Sequence, residues 1–400
     1  MSETLRMLAP AEALSLLLDR ASIVPAECEP LAQAAGRVLA EPLRADRDSP
    51  ARDVSAMDGY ALAASEAREG PIPIGGDVFI GHEPPPCPPG AAVRIVTGGA
   101  IPAGTDAVVK REDVEELGDS IRMSAAALKA LRPGAHVRRR AENLREGAEI
   151  VPAGTPISPG VAGALASCGN SHPSVRRRVH IGILSTGDEV VPVSTAPSPF
   201  QLRDSNSAAL SSLFTSWAWT SVLPPRLGAD SPEALAGAAS DLLNSADLLL
   251  MTGGVSMGVR DFVPEVMRAM GATVLFHTVN QRPGKPLLGA VMPGGRLVLA
   301  LPGNPVSALV CARRYAVPVA AAFAGAAALG GPLKARIESD DGRTLGMWWH
   351  RLVMRDPLGG LALAMHASSG DVPGAARADG FIEVPPGTNA GGVRDFYSWT

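Results

Sequence analysis

Between positions 178 and 321 the chain repeats one pattern: a short, predominantly apolar run, a turn rich in Gly, Pro or acids, then a helix-like stretch. The apolar runs are 179–184, 247–251, 273–279 and 297–301; the helix-like stretches are 207–219, 230–245, 261–270 and 305–321. A strand with one solvated face alternates apolar and polar residues, whereas these runs are mostly apolar with no such alternation, so they read as covered on both faces. Strands alternating with helices in this way predict a parallel sheet between two helical layers. Ligands of such sheets bind at the carboxyl ends of the strands, which directs attention to the turns.

The rest of the chain has a different texture. Residues 1–45 read as helical: Pro10, a first-turn residue, precedes Leu14, Leu16, Leu17 and Leu18, and a second apolar helix-like run covers 31–39. From 46 to 140 Pro and Gly become dense, as in PIPIGG (71–76) and PPPCPPG (84–90), with short β-rich runs between them. An extended Pro/Gly-rich stretch at 147–163 leads back to a helix, and the tail after 328 alternates apolar and polar positions. The fold class is therefore α/β and multi-domain. The expected parts are a linker and N-terminal domain (1–45 with 141–174), a β-rich insert (46–140), the α/β domain (175–328) and a small C-terminal β domain (329–400).

Composition bounds the function. With 400 residues, 46% apolar and 19% charged, the chain can form several packed cores. A net charge of −4 argues against broad nucleic-acid or membrane-surface binding, which needs a basic face, and leaves room for a local cationic pocket. The four cysteines (Cys28, Cys87, Cys168, Cys311) are isolated and match neither a disulfide framework nor a zinc site, so a reducing cytoplasm fits. No signal peptide is legible near Glu3, and the apolar stretch 317–331, which holds Pro318, reads as a buried helix.

Four strand-end turns carry chemistry. Ser185-Thr186-Gly187-Asp188-Glu189 offers carboxylates for a divalent cation beside backbone N–H groups for phosphate; the ordinary alternative is acids that complement a helix dipole. Thr252-Gly253-Gly254-Val255-Ser256-Met257-Gly258 lets backbone approach a ligand closely, with Asp261 opening the next helix; the alternative is a plain strand-to-helix turn. Gln281-Arg282-Pro283-Gly284-Lys285-Pro286 stiffens two cations that suit a tetrahedral oxyanion, against the alternative of a solvated basic turn. In Leu301-Pro302-Gly303-Asn304-Pro305-Val306-Ser307, Asn304 and Ser307 could meet a base or pterin edge, although capping of the helix start is the favoured role for Ser307. In the insert, Ser55-Ala56-Met57-Asp58-Gly59-Tyr60-Ala61 and Thr97-Gly98-Gly99 form tight turns. Arg138, Arg139 and Arg140 form a cationic run, solvated or phosphate-clamping.

These segments are specific in combination. SAMDGYA (55–61), TGGAIPAGTDAVV (97–109), STGDE (185–189), DSN (204–206), TGGVSMG with Asp261, PGKP (283–286) and LPGNPVS (301–307) occur in the order in which they stand in molybdopterin molybdenumtransferases. The chain resembles that family, the MoeA-like proteins that include the catalytic part of gephyrin, well over residues 1 to 330 and weakly in the tail. The resemblance implies a transferase of molybdenum cofactor biosynthesis. It would take molybdate and adenylylated molybdopterin, cleave the pyrophosphate link, release AMP and leave molybdenum on the dithiolene, with Mg2+ as the assisting metal.

Carried over by position, the resemblance implies Glu189, Asp230 and Asp261 as acids of the metal and pyrophosphate site, with Asp188 beside them. Asp188, Glu189 and Asp261 would be the metal ligands. Gly253, Gly254 and Ser256 would form the nucleotide-phosphate loop, with Ser185, Thr186 and Gly187 also binding substrate. Arg282 and Lys285 would hold the oxyanion, with Asn304, Ser307, Arg351, Ser368 and Ser369 around the substrate. Asp58 and Thr97 would reach the site from the insert of the other subunit of a homodimer; a molybdoenzyme or an adenylyltransferase is the further partner implied. The sequence departs from the family pattern at Arg52 (usually aromatic), at Ala141 and Asn143 (usually Gly and Asp) and at Ser231 (usually acidic). The last two remove negative charge, which weakens Mg2+ binding and motivates the alternative of a non-catalytic paralogue that binds molybdopterin or finished cofactor for a client enzyme.

Overall fold

The computed structural model describes residues 7–255, 262–337, 341–356, 360–364 and 368–400. Two compact units emerge: Met1–Glu41, Ala153–Gly163 and Ser171–Thr400 form the larger, and Pro42–Pro152 with Ala164–Asn170 the smaller.

A seven-stranded sheet organises the larger unit. Val179–Thr186 pairs in parallel with Thr220–Val222, Arg226–Gly228 and Leu248–Thr252, and Leu248–Thr252 pairs in parallel with Leu297–Leu301. Successive residues of these strands enter opposite cores. Ile181, Ile183, Leu248, Leu250, Leu297 and Leu299 pack in one cluster, while Leu184, Leu249, Met251, Val298 and Ala300 pack in the other. That is the two-sided burial the continuous apolar runs require. The first face lies under helices Pro10–Leu18, Ser205–Thr215 and Pro305–Cys311, the second under Pro232–Leu243 and Val263–Ala269. The sheet is not parallel throughout. Pro286–Val291, a strand that sequence reasoning does not mark, runs antiparallel to Leu297–Leu301, and Thr273–Thr278 runs antiparallel to it in turn. The second helix expected near the N-terminus is absent: after a short 3-10 turn at Leu31–Gln33 the chain runs extended into isolated bridges at Val38 and Leu39. Gly36 breaks the pattern, with φ of 72° and a Cβ position only 2.7 Å from the Cβ of Ala218.

The helical run from Pro305 to Phe323 is long and apolar enough to cross a membrane, but 89% of its 18-residue apolar window is buried in the protein, as befits a core helix. A π-helical segment, Ala312–Ala316, interrupts it, and Arg313 and Arg314 are buried there. The wider turn displaces side chains from the ordinary helical stripe. Arg313 donates to the backbone carbonyls of Ser398 and Gly330, at 2.6 and 3.0 Å. Arg314 donates to Glu383 at 2.6 and 3.3 Å, and His350 Nε2 lies 3.0 Å from the same carboxylate.

Glu383 and His350 belong to the C-terminal strands. Trp348–Arg355 pairs with both Leu361–Leu363 and Gly380–Val384, and Leu333–Ile337 and Gly392–Ser398 complete the ring, so five strands close on themselves. Closure removes free sheet edges. At its N-terminal end, where Leu361–Leu363 does not reach, Trp348–Arg355 receives Gln281–Arg282 as a parallel partner. The smaller unit holds a six-stranded sheet, in the order 107–110, 59–62, 92–95, 71–77, 120–123, 114–116. Tyr60, Leu62, Ile72, Ala92, Val109 and Ile121 form its core.

Burial alone would raise the Glu383 carboxyl, but the His350 hydrogen bond and the Arg314 charge hold it down to about 2 from its ordinary 4.5. A depressed carboxylate contributes stability above its unfolded pKa and loses it as pH falls through the folded value. Glu383→Gln is therefore expected to lower stability by about 3–5 kcal/mol at neutral pH, because Arg314 is left buried without its counter-charge. The deficit should shrink as pH falls from about 4.5 to about 2. Urea unfolding across that range checks both; a pH-independent deficit would count against the ion pair as the cause.

Candidate functional site

The strands ending at Thr186, Thr252 and Leu301 lie side by side in the sheet, so their turns share one rim. A cavity of about 540 Å³ opens there, lined among others by Ser185, Thr186, Glu189, Asp204, Asn206, Thr252, Gly253, Gly303 and Asn304. Glycine is required at its floor. A Cβ on Gly253 would stand 2.6 Å from the carbonyl oxygen of Thr186, and Gly253 and Gly254 both have positive φ (93° and 63°). At Gly187, φ is 138° and a Cβ would strike the Glu189 carboxylate at 2.8 Å.

Ser185 is buried and anchors the rim. Its hydroxyl donates to Asp204 Oδ1 (2.9 Å) and sits 2.9 and 3.1 Å from the hydroxyls of Ser207 and Thr252. Asp204 also caps its helix by accepting from the Ser207 amide at 3.0 Å. Asn206 Nδ2 donates to the Gly303 carbonyl at 2.9 Å and ties the DSN segment to the LPGNP turn. Thr186 donates to the Thr252 carbonyl at 3.2 Å. Asp188 and Asp230 face each other: each backbone N–H donates to the other's carboxylate, at 3.4 and 3.2 Å. Ser256 and Asp261 lie outside the described residues. Among the described residues no group of three or more potential ligands is close enough to hold a metal alone. Of the acids the resemblance implies for Mg2+, Glu189 lines the first cavity and Asp188 faces Asp230, hard oxygen donors of the kind Mg2+ takes one or two of beside substrate phosphates, while Asp261 lies outside the described residues.

A second cavity, of about 860 Å³, adjoins the first and shares Asn304 with it. It lies within the range of about 300–1,000 Å³ usual for small-molecule sites. Arg282, Lys285, Arg343 and Arg351 line it together with the carboxylate of Asp341, and Ser307, Ser368 and Ser369 add hydroxyls. The excess of cations suits an oxyanion. The turn that carries Arg282 and Lys285 is braced from behind. Gln281, fully buried, donates to the Gly284 carbonyl at 2.9 Å and accepts a short hydrogen bond from Tyr315. Gly284 has φ of 87°, and a Cβ there would lie 2.2 Å from Cys311 Sγ. Arg351 donates to both oxygens of Asp341, at 2.7 and 2.8 Å, and stacks 4.3 Å over the Trp349 ring. The capping role favoured for Ser307 is not what the structure shows. Asn304 holds the N-cap position of Pro305–Cys311, without a side-chain bond, and Ser307 is buried within that helix and lines the cavity.

In the smaller unit, antiparallel pairing sets Gly59 opposite Ile95, and so places Asp58 near Thr97. The Thr97 amide and hydroxyl both donate to Asp58 Oδ1, at 2.7 and 2.8 Å. These bonds, the amide's first, hold the Asp58 carboxyl below its ordinary value. The arginine run is tied down locally: Arg139 to Asp53 (2.7 Å), Arg140 to Asp48 (2.5 Å) and Arg138 to Asn143 (2.8 Å). The departures have structural consequences. Ser231 caps Pro232–Leu243 by accepting from the Ala234 amide at 3.2 Å, and Ala141 sits at φ of 60°, a conformation that costs a side chain energy. Arg52 is exposed.

Sequence reasoning misses Gln281, Asp341, Arg343, Trp349 and His350 as cavity residues. Gln281 alone carries a local hint, next to Arg282; the others stand in a tail with no strand-end turn to mark them.

The architecture is that of a mixed α/β protein with a cavity at the carboxyl rim of its sheet. Two family models match: "MoeA N-terminal region (domain I and II)" over residues 8–169, and "Probable molybdopterin binding domain" over residues 182–322. A molybdopterin molybdenumtransferase of Synechococcus elongatus is 37% identical over 335 residues, 78% of this chain and 80% of that protein. One from Synechocystis is 30% identical over 91% of this chain and 93% of its own length. The crystal structure of the molybdopterin biosynthesis MoeA protein from Pyrococcus horikosii superposes with a TM-score of 0.83 at 25% identity, covering 99% of this chain and 100% of that one. The chain belongs to the molybdopterin molybdenumtransferase family, and with it to molybdenum cofactor biosynthesis.

Thr97→Val removes one of the two bonds that hold Asp58 and keeps the amide bond. The Asp58 pKa should rise part of the way back to the ordinary carboxylate value, readable by NMR titration; an unchanged value would remove Thr97 from its role. Ala141→Gly relieves the left-handed strain and should stabilise the protein by about 0.5–1 kcal/mol, measured by urea unfolding.

Proposed function

We propose that this chain inserts molybdate into adenylylated molybdopterin and releases AMP. The observation that carries this reading is the pair of adjoining cavities that share Asn304, one glycine-floored and acid-rimmed, the other cationic. The first suits the nucleotide and pyrophosphate: Gly253 and Gly254 let backbone come close to phosphate oxygens, and Glu189 on its lining, with Asp188 and Asp261, would hold Mg2+. Bound in that way, Mg2+ supplies neutralisation of the pyrophosphate charge. Lys285, Arg282 and Arg351 hold the molybdate dianion in the second cavity. Two reactants kept in adjoining cavities meet in one geometry, which replaces a bimolecular encounter by a positioned one. Asp261 and Ser256 enter the proposal from the sequence pattern alone.

We further propose a homodimer in which Asp58 and Thr97 of one subunit serve the site of the other, a reading supported by the family resemblance. The four cysteines are free thiols, which supports a reducing compartment such as the cytoplasm.

AMP release from adenylylated molybdopterin, with and without molybdate, tests the assignment. Glu189→Gln should slow release by about two to four orders of magnitude with the fold intact. Lys285→Ala should chiefly raise the molybdate concentration required. Protein that binds molybdopterin but releases no AMP at any molybdate or magnesium concentration would sink the enzyme reading and leave the family standing. Mixing inactive Asp58→Asn and Glu189→Gln proteins should restore about a quarter of wild-type activity if subunits exchange and sites are shared across the dimer; no recovery in demonstrably mixed dimers would refute the sharing.

A further inference from the structure

We propose that Asp341 is an internal placeholder for the oxyanion: its carboxylate occupies Arg351 in the bidentate manner of the incoming anion and sets the concentration at which that anion enters. The inference rests on the reading of the 860 Å³ cavity as an oxyanion site.

Both oxygens of Asp341 take an N–H from Arg351, at 2.7 and 2.8 Å, so the fork of the guanidinium is filled. Its flat face is taken by the Trp349 ring at 4.3 Å, which fixes the orientation of the fork. A carboxylate and one edge of a tetrahedral oxyanion present the same motif to such a fork, two acceptor oxygens side by side. They therefore compete for it. The pair is asymmetric in the sense that exchange needs. The Arg351 side chain is 12% exposed and held against the wall, whereas Asp341 is 34% exposed. The carboxylate is the partner able to leave. Leaving does not strand it: the Arg343 amide donates to Asp341 Oδ1 at 3.2 Å, and Arg343 Nε lies 3.6 Å from Oδ2. The Arg351 hydrogen bonds hold the Asp341 carboxyl well below the usual carboxylate range, so it stays ionised, and competent as a competitor, at any physiological pH.

The experiment is calorimetric titration of sodium molybdate into the full-length protein and its variants, with thermal unfolding to check each fold. Asp341→Asn is expected to tighten molybdate binding about tenfold, the scale of one charge-assisted bidentate contact. Asp341→Ser, smaller and neutral, should act in the same direction, so the result does not hang on one substitution. A change of local charge alone would also favour an anion, and a double-mutant cycle separates the two. In an Arg351→Ala background, Asp341→Asn should give less than about a twofold gain, because the competition is for Arg351. A full gain in that background would overturn the proposal, since the effect would then be a general field. So would unchanged or weaker binding by both Asp341 variants, which would make Asp341 a support that orients Arg351. If wild type and every Asp341 variant fail to bind molybdate, the oxyanion reading itself falls. Binding by wild type without a gain in the variants refutes only the placeholder.

Discussion

A buried carboxylate holds the cationic cavity together. Glu383 stands on a strand of the closed C-terminal ring and is matched by Arg314, which projects from the π-helical segment of the core helix. Two charges taken out of water are costly unless their partners are complete. Here Arg314 bonds both carboxylate oxygens, and His350 contributes a third contact. The next residue of the same helix, Tyr315, bonds Gln281, and Gln281 holds the Gly284 carbonyl. One turn of helix therefore fixes both walls of the cavity, the strand that carries Arg351 and the turn that carries Arg282 and Lys285.

Such bracing matters because the cavity gathers cations. Arg282, Lys285, Arg343 and Arg351 repel one another, and a mobile turn would let them separate into solvent. Gln281–Arg282 is instead paired as a strand to Trp348 and Trp349 of the ring, and Gly284 packs on Cys311 with no space for a side chain. The charge stays concentrated where an anion would be held, which is the preorganisation that electrostatic binding depends on.

The acid-rimmed cavity uses a different device. Its rim is set by a buried hydroxyl: Asp204, Ser207 and Thr252 gather around Ser185 and lock two strand ends to one helix start. The resemblance implies Ser185 as a substrate-binding residue; its hydroxyl stands in this buried cluster, where it ties the strand end to its neighbours. The departures at Ser231 and Ala141 are local by comparison. Ser231 serves as a helix cap, and Ala141 accepts a strained backbone in a turn.

What the sequence determined by itself was everything carried by local pattern. Continuous apolar runs require two-sided burial, and the opposite placement of Leu248 and Leu249 meets that requirement. Gly253, Gly254 and Gly187 have the positive φ that favours glycine, so their motifs are legible as close-approach backbone from the sequence alone. The antiparallel strand Pro286–Val291 is not, because apolar strands read alike in either direction, and direction is decided by which neighbour they find. The 31–39 run looks helical by composition, but Gly36 must fit against Ala218, far away in the chain. Only tertiary structure brought Arg314 to Glu383 across 69 residues, and only it made Asn304 the shared wall of two cavities. Asp341 and Arg351 are ten residues apart, yet nothing in that spacing announces a bidentate pair in a ligand cavity. The physical reason is the same throughout: periodicity reports burial along one element, whereas a site is made where elements distant in sequence close on each other.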